Sequence, residues 1–402
     1  MARGYNRLPL AAALLAAASS ANAGISIPAG DWTLDIGGIV NAYYTSTRAT
    51  GTGGGLTAGN NSGGAKTTAN ITTGLLPNYL TVSGTTRQND LDVGFTISMQ
   101  PGASTRASLS GGGAQEQRQQ FLTFGDKSWG SIKLGKDLGI FASDAILNDM
   151  TLLGVGSGAG TLTGATATTT LGRIGTGYIY ADWKNQIAYS TPNFNGFNAT
   201  VGLTQGWNAN GTGSMMAANS SSTQAGGSQT AYEGKASYAW TGDVAGKVWV
   251  SGITQKLQTA TKDTTANAVD IGATVTVAGL ALTGYYFDGR GIGNQYQFSS
   301  GLDSAYNKRD SNGGYVQATY VLPTATKIGV SWGTSNLDAT ATDADGNVSN
   351  EMWTIGAYHP LTKHLNLVAE YSDAKDTQDA KGANAKTEAR AKTVSLGAIL
   401  FF

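Results

Sequence analysis

The sequence contains no cysteine, two histidines and seven prolines in 402 residues, and charged residues make up only 13% of it. Without cysteine there is no disulfide framework, no thiolate metal site and no thiol nucleophile. Its 26 Lys plus Arg are matched by 26 Asp plus Glu. Neither a basic nucleic-acid face nor an acidic disordered tail fits that balance. Beyond residue 23 no stretch approaches the ~18 to 20 apolar residues of a membrane-spanning helix. With 40% hydrophobic residues, a chain of this kind enters a membrane only as strands. Glycine is what it has in excess: 57 residues, roughly twice the usual ~7%.

The first 23 residues read as an export signal. Arg3 and Arg7 charge the start, Leu8 to Ala18 (LPLAAALLAAA) form the apolar region, and Ala21-Asn22-Ala23 gives the small-x-small cleavage pattern. The apolar run is too short for a membrane anchor. The expected division is a secretory signal peptide over 1–23 and one exported domain over 24–402.

Downstream, apolar residues recur with period two. Leu91, Val93, Phe95, Ile97 and Met99 alternate with Asp92, Gly94, Thr96, Ser98 and Gln100; Val269, Ile271, Ala273, Val275 and Val277 alternate with Asp270, Gly272, Thr274 and Thr276. Each such strand has one oily and one wet face. Short turns are expected near 88–90, 126–130, 193–196, 241–243, 278–279, 323–325 and 362–363. Long polar segments are expected near 45–77, 101–115, 138–184, 208–228, 259–266, 288–311, 336–350 and 373–390. Seven short and eight long connections, in alternation, join 16 strands and let the first strand pair with the last. That is the layout of an all-β, 16-stranded antiparallel transmembrane β-barrel. Closure also satisfies every backbone donor and acceptor in lipid.

Aromatic residues support a bilayer. Trp32, Tyr44, Tyr189, Trp240, Trp332, Trp353 and Tyr371 fall near expected strand ends, at headgroup level. Val394, Leu396, Ala398, Leu400 and Phe402 point one way, and the sequence stops on Phe402. Ile132 and Leu134 should face lipid, so Lys133 faces the lumen; a lipid-facing charge would cost ~2 to 4 kcal/mol at the midplane. The same parity puts Asp92, Glu233, Lys235, Lys247, Asp270 and Glu370 inside, where each is read as solvated pore lining. Arg118 shares the phase of Leu122 and Phe124 and needs a bulge to point inward.

The chain then resembles the trimeric general porins of Gram-negative outer membranes. The most specific piece is Phe121 to Met150 (FLTFGDKSWGSIKLGKDLGIFASDAILNDM), similar to that family's fourth and fifth strands and the start of its third loop. Leu171-Gly172-Arg173, Asn185 to Pro192 and Phe194 to Phe197 resemble the return into strands six and seven. The resemblance implies a long third loop folded inward, carboxylates on it opposite a ladder of wall arginines, and a transverse field that sorts small hydrophilic solutes. It implies a homotrimer in outer-membrane lipid, and a terminal Phe402 read by the barrel-assembly machinery. Carried over residue by residue, Asp149 matches a loop carboxylate, and Arg118 and Arg173 match wall arginines. A third wall arginine falls on Tyr79 and a second loop carboxylate near Leu153, so the field is thinned on both sides. With Lys133 and Lys136 near the loop level and Asp144 and Asp149 on the loop, the narrowest region should carry a small positive excess and a weak anion preference.

Signals for chemistry are sparse. His359 and His364 bracket a turn with no carboxylate or Cys to complete a metal site. A triad hydrolase would need a histidine in a concave site beside a nucleophile, and none is placed so. Gly154 to Gly160 and Gly289 to Gly293 lack the strand and helix of a phosphate loop and read as flexible loop. Asp343-Ala344-Asp345-Gly346-Asn347 has its Gly too early for an EF-hand. The charged stretch from Asp373 to Lys392 reads as a solvated hairpin tip. A passive channel without cofactor or nucleic-acid partner is therefore expected. The rivals are an 18-stranded substrate-selective barrel, and an outer-membrane adhesin or enzyme.

Overall fold

The structure, a computed structural model, describes residues 24–52, 67–101, 115–157, 169–206, 229–258 and 262–402. The expected signal segment 1–23 and the middles of several long loops lie outside the described residues. The strands are β1 (Ile25–Ala29), β2 (Trp32–Thr52), β3 (Thr67–Thr72), β4 (Tyr79–Gln88), β5 (Leu91–Pro101), β6 (Gln115–Glu116), β7 (Gln120–Asp126), β8 (Gly130–Leu138), β9 (Trp183–Ser190) and β10 (Phe197–Thr204). They continue with β11 (Ala231–Trp240), β12 (Val244–Gln258), β13 (Asp263–Val277), β14 (Leu280–Arg290), β15 (Asp310–Val321), β16 (Lys327–Leu337), β17 (Val348–Pro360), β18 (Leu365–Gln378) and β19 (Thr387–Phe401).

Apart from β3 with β4 and β6 with β7, each strand pairs antiparallel with the next, and β19 closes on β2 from Phe401 opposite Ile39 to Glu388 opposite Thr52. Two barrel positions are interrupted: β3 and β4 both lie along β2, and β6 and β7 both lie along β5. The short β1 folds back on β2, from Ala29 opposite Trp32 to Ile25 opposite Ile36, occupying the edge that β19 leaves. Sixteen barrel positions result, and all seven expected short turns are present. At Asn89-Asp90 both central residues have positive φ, 48° and 63°, the twist that a two-residue hairpin requires.

The barrel is inside-out relative to a soluble sheet. Val269 and Ile271 are each 60% exposed while Asp270 between them is 2% exposed. The outward rows are Val, Ile, Leu and aromatic; the inward rows are Thr, Ser, Asn, Gln and charge. Such an oily exterior is stable only against acyl chains. Trp332 and Trp353, cross-strand partners, and Tyr371, 5.2 Å from Trp353, form part of an outward aromatic belt.

Strands extend beyond their expected bounds. Residues 45–52, 67–72 and 263–266, expected in loops, are paired. The stretch from Asp373 to Lys392 is mostly ladder and not a solvated tip. Across β18 and β19, Arg390 donates two bonds to the Asp373 carboxylate, both 2.6 Å, and Lys375 lies 3.2 Å from Glu388. Opposite charges facing across a strand pair offset each other and let a polar sequence stay in register. β1 and the breaks at 73–78 and 117–119 were not foreseen.

Candidate functional site: the pore constriction

The segment between β8 and β9 starts at a neck, where Gly139 N–H donates to the Asp182 carbonyl at 2.7 Å. Within it lie a one-turn helix, α1 (Ser143–Asn148), and a 3-10 turn, Met150–Leu153. Asp149 ends the first and caps the second, accepting from Thr151 N at 2.9 Å. The described parts of this segment pack against inward-facing side chains of the wall. Glu233 on β11 accepts from the successive amides of Ile140 and Phe141, each 2.8 Å. Glu370 on β18 accepts from those of Val155 and Gly156, each 2.8 Å. Gln317 on β15 accepts from Met150 N at 2.6 Å and donates to the Asn148 carbonyl at 3.0 Å. Tyr315 donates to the Ala145 carbonyl at 2.8 Å.

These bonds revise the reading of the inward residues. Glu233, Glu370, Lys235 and Lys247 are not solvated lining; they hold the loop. The amides at 140–141 and 155–156 have no ladder partner, and a carboxylate satisfies two at once. Lys184 and Thr204 complete the coordination of Glu233, and Tyr358 that of Glu370. Asp270 accepts from Ser251 at 2.6 Å and Tyr285 at 3.0 Å. Asp92 alone of the set stays half exposed, paired with Arg87 at 2.7 Å. Gly154 is held as well: its carbonyl accepts from Leu75 N–H at 2.8 Å and its own N–H donates to the Thr151 carbonyl at 2.9 Å, and a Cβ there would meet the Glu370 carboxylate at 2.0 Å.

Both loop carboxylates are withdrawn from open space. Asp144 is buried between Lys235, at 3.2 Å, and Lys247. Burial raises its pKa, but the two ammonium groups outweigh that and hold it below the usual carboxylate range. Asp149 is buried and accepts from Thr151 Oγ1 at 2.7 Å and Tyr178 at 3.0 Å. Arg173 is fully buried and spends its guanidinium on the Met352 carbonyl at 2.8 Å, the Thr176 carbonyl at 3.3 Å and Ser331.

Open space lies on the other side of the loop. A cavity of about 320 Å³ runs between the loop and the wall of β2, β4, β5, β7 and β8. Its wall carries Tyr79, Gln100, Arg118, Gln119, Phe121, Lys133 and Asp137; its loop side carries Ile146, Leu147, Leu152 and Leu153, joined by Leu75 and Leu76 from the break between β3 and β4. Of the expected constriction residues, Tyr79, Arg118 and Lys133 meet in this cavity. Asp144, Asp149 and Arg173 sit behind the loop. Lys136 keeps the parity of Ile132 and Leu134, opposite Gln120 and Asn185, and does not line it.

Arg118 enters through the break between β6 and β7, which supplies the change of phase its position needed. Its backbone N–H donates to Gln100 Oε1 at 2.9 Å and its Nε to Glu116 at 2.8 Å, and its guanidinium lies 5.7 Å from the Trp183 ring centroid. Lys133 pairs with Asp137 and lies 4.8 Å from the Phe121 centroid. Beside them Asp182 is buried at the loop neck. Burial pushes its carboxyl up to about 7, against the pull of the Trp183 amide and the charges of Lys184, Arg118 and Lys136. The leucines, Asp137, Glu116 and Asp182 were missed in the sequence; Leu152-Leu153 after a capping Asp was the one available signal.

Asp343 is taken up by Arg309, and among the described residues no three His, Cys, Asp or Glu gather as a metal site. A closed barrel with an oily exterior, a polar interior and a packed internal segment defines a pore-forming membrane protein. The profile of the Gram-negative porins matches residues 10–379; the chain belongs to that family and is an outer-membrane channel. No curated protein matches it in sequence. Among solved structures it is similar to an anion-selective porin from Comamonas acidovorans (16% identity, 92% of this chain, 100% of that one, TM-score 0.60). It is also similar to the outer membrane channel DcaP of Acinetobacter baumannii (17%, 93%, 99%, 0.62). The trimer form of OmpT from Vibrio cholerae is a third relative in fold (14%, 92%, 99%, 0.54). The sixteen strands set aside an 18-stranded barrel.

Proposed function

We propose that this porin is a passive diffusion channel for small hydrophilic solutes and ions, with a weak anion preference set at the cavity between the third loop and the wall. The observation that carries this reading is the charge on that cavity. Among its lining residues Arg118 and Lys133 face one carboxylate, Asp137, with Glu116 reaching Arg118 from outside the lining, while Asp144 and Asp149 are buried behind the loop. A cationic excess at a narrow point concentrates anions, and confinement weakens screening there. The name of the Comamonas relative, an anion-selective porin, agrees in sign.

The channel needs no cofactor and performs no chemistry. It works as a homotrimer in outer-membrane lipid, a reading supported by the trimeric relative. It is exported by a signal peptide over 1–23, cleaved to leave Gly24 first, and delivered to the barrel-assembly machinery through Phe402. Purified protein in a planar bilayer tests this. Stepwise conductance increments that close in thirds support it; a heat-modifiable barrel that never conducts overturns it in favour of an adhesin or enzyme.

A further inference from the structure

The cavity is unusual in being two-sided. Hydrophilic solutes need polar groups all round, yet the loop side offers mainly aliphatic carbon. Leu147 and Leu153 of the loop and Leu76 of the break between β3 and β4 face the space, and Ile174 and Tyr180 also line it. This face exists because the loop's carboxylates are consumed elsewhere: Asp144 by Lys235 and Lys247 of the opposite wall, Asp149 by Tyr178 and Thr151 of the loop itself. With the carboxylates turned away, the loop faces the cavity mainly with aliphatic side chains, Thr169 and Thr170 being its polar contribution.

The facing wall is cationic and aromatic. The Lys133 side chain is 33% exposed, and of its three ammonium donors Asp137 takes one. Arg118 lies behind it over Trp183, and Tyr79 and Phe121 complete the wall. A ligand that fits both sides has an anionic end for Lys133 and an apolar body for the leucines. A purely hydrophilic anion would leave the leucines in contact with water, and an apolar cation would meet Lys133 and Arg118 end-on.

We propose that this cavity is a binding site for small anions with an apolar body, of the aromatic carboxylate class, held as they pass through the pore. The inference rests on the chain being a conducting pore and goes beyond it by naming a solute that the pore retains.

The test is a titration of single-channel KCl current with sodium benzoate, sodium acetate and benzylammonium chloride at equal concentration. Benzoate should interrupt or reduce the current saturably, while acetate and benzylammonium leave it unchanged. Leu153→Asn and Lys133→Gln should each weaken the benzoate effect by about tenfold, the factor one pocket contact carries, with KCl current showing that each variant is assembled. Equal effects of benzoate and acetate on wild type, or a block by benzylammonium as strong as by benzoate, would overturn the proposal and leave the porin reading intact. A wild type without KCl current would overturn both.

Discussion

The Asp144 carboxylate lies 3.2 Å from the Lys235 ammonium, 91 residues away on β11. That pairing takes a third-loop carboxylate out of the pore and joins it to the wall, and Lys247 holds it from the next strand. The loop is therefore fixed by its charges and presents its leucines to the lumen. One set of charged residues, Lys235 and Lys247 among them, anchors the loop; another, Arg118 and Lys133, lines the cavity.

Residues of the first set should affect rigidity and leave selectivity alone. Glu370→Gln weakens the clamp on Val155 and Gly156, and Arg173→Ala leaves the Met352 carbonyl and Ser331 without their donor. Hydrogen bonds to charged groups contribute ~1.5 to 3 kcal/mol each. Both variants should lower the temperature of heat-modification and increase open-channel noise, with the reversal potential unchanged. A large selectivity shift from Arg173→Ala alone would contradict the placement.

The second prediction concerns pH. Asp182, with a pKa raised by burial to about 7, is neutral below that value and anionic above it. Between pH 6 and 8 the neck beside Arg118 gains negative charge, so anion preference should fall as pH rises. Asp182→Asn should make the profile flat. Stability should follow the same group: unfolded Asp ionises near ~3.9, and the folded carboxyl keeps its proton up to about 7. Folding is favoured at the acid end of that window, and the gain is lost as pH rises through it. Wild type and Asp182→Asn with parallel pH profiles would refute the assignment.

The third concerns closure. Phe402 N–H donates to Gly38 O at 3.0 Å, and Gly38 N–H donates to Phe402 O at 2.7 Å. A Cβ at Gly38 would meet the Tyr79 carbonyl at 2.3 Å and the Phe402 ring at 2.6 Å. Deletion of Phe402, and Gly38→Val, should each lower the yield of membrane-inserted, heat-modifiable barrel while synthesis continues. Normal yields of both would show that the seam tolerates loss of this contact.

Much of this was legible in the sequence. Period-two alternation fixed the inward parity of Glu233, Lys235, Lys247, Asp270 and Glu370, because a charge on the lipid side is too costly. The seven turns followed from Gly, Asn, Asp and Pro chemistry. What stayed hidden was partner choice. Nothing local tells Asp144 to prefer Lys235 over the lumen, or Arg173 to turn to Met352 and Ser331, since those partners come from strands far along the chain. The ladder from Asp373 to Gln378 was hidden for a related reason. Its charges look like a solvated tip until the ones on β19 come opposite. Lys136 shares the parity of Leu134 and is absent from the cavity lining, while its charge acts on Asp182 at the loop neck.

On the proposed function, Arg118 and Lys133, and not the loop carboxylates, set the sign of the field. Reversal potentials in a tenfold KCl gradient, with wild type beside Arg118→Ala/Lys133→Ala and Asp149→Asn, test it most directly. Wild type should be weakly anion-selective, more so at 0.1 M salt, where the screening length is ~10 Å, than at 1 M, where it is ~3 Å. The double variant should lose or reverse that preference and Asp149→Asn should keep it. A cation-selective wild type, or a double variant with the reversal potential of wild type, would show that Arg118 and Lys133 do not set the field.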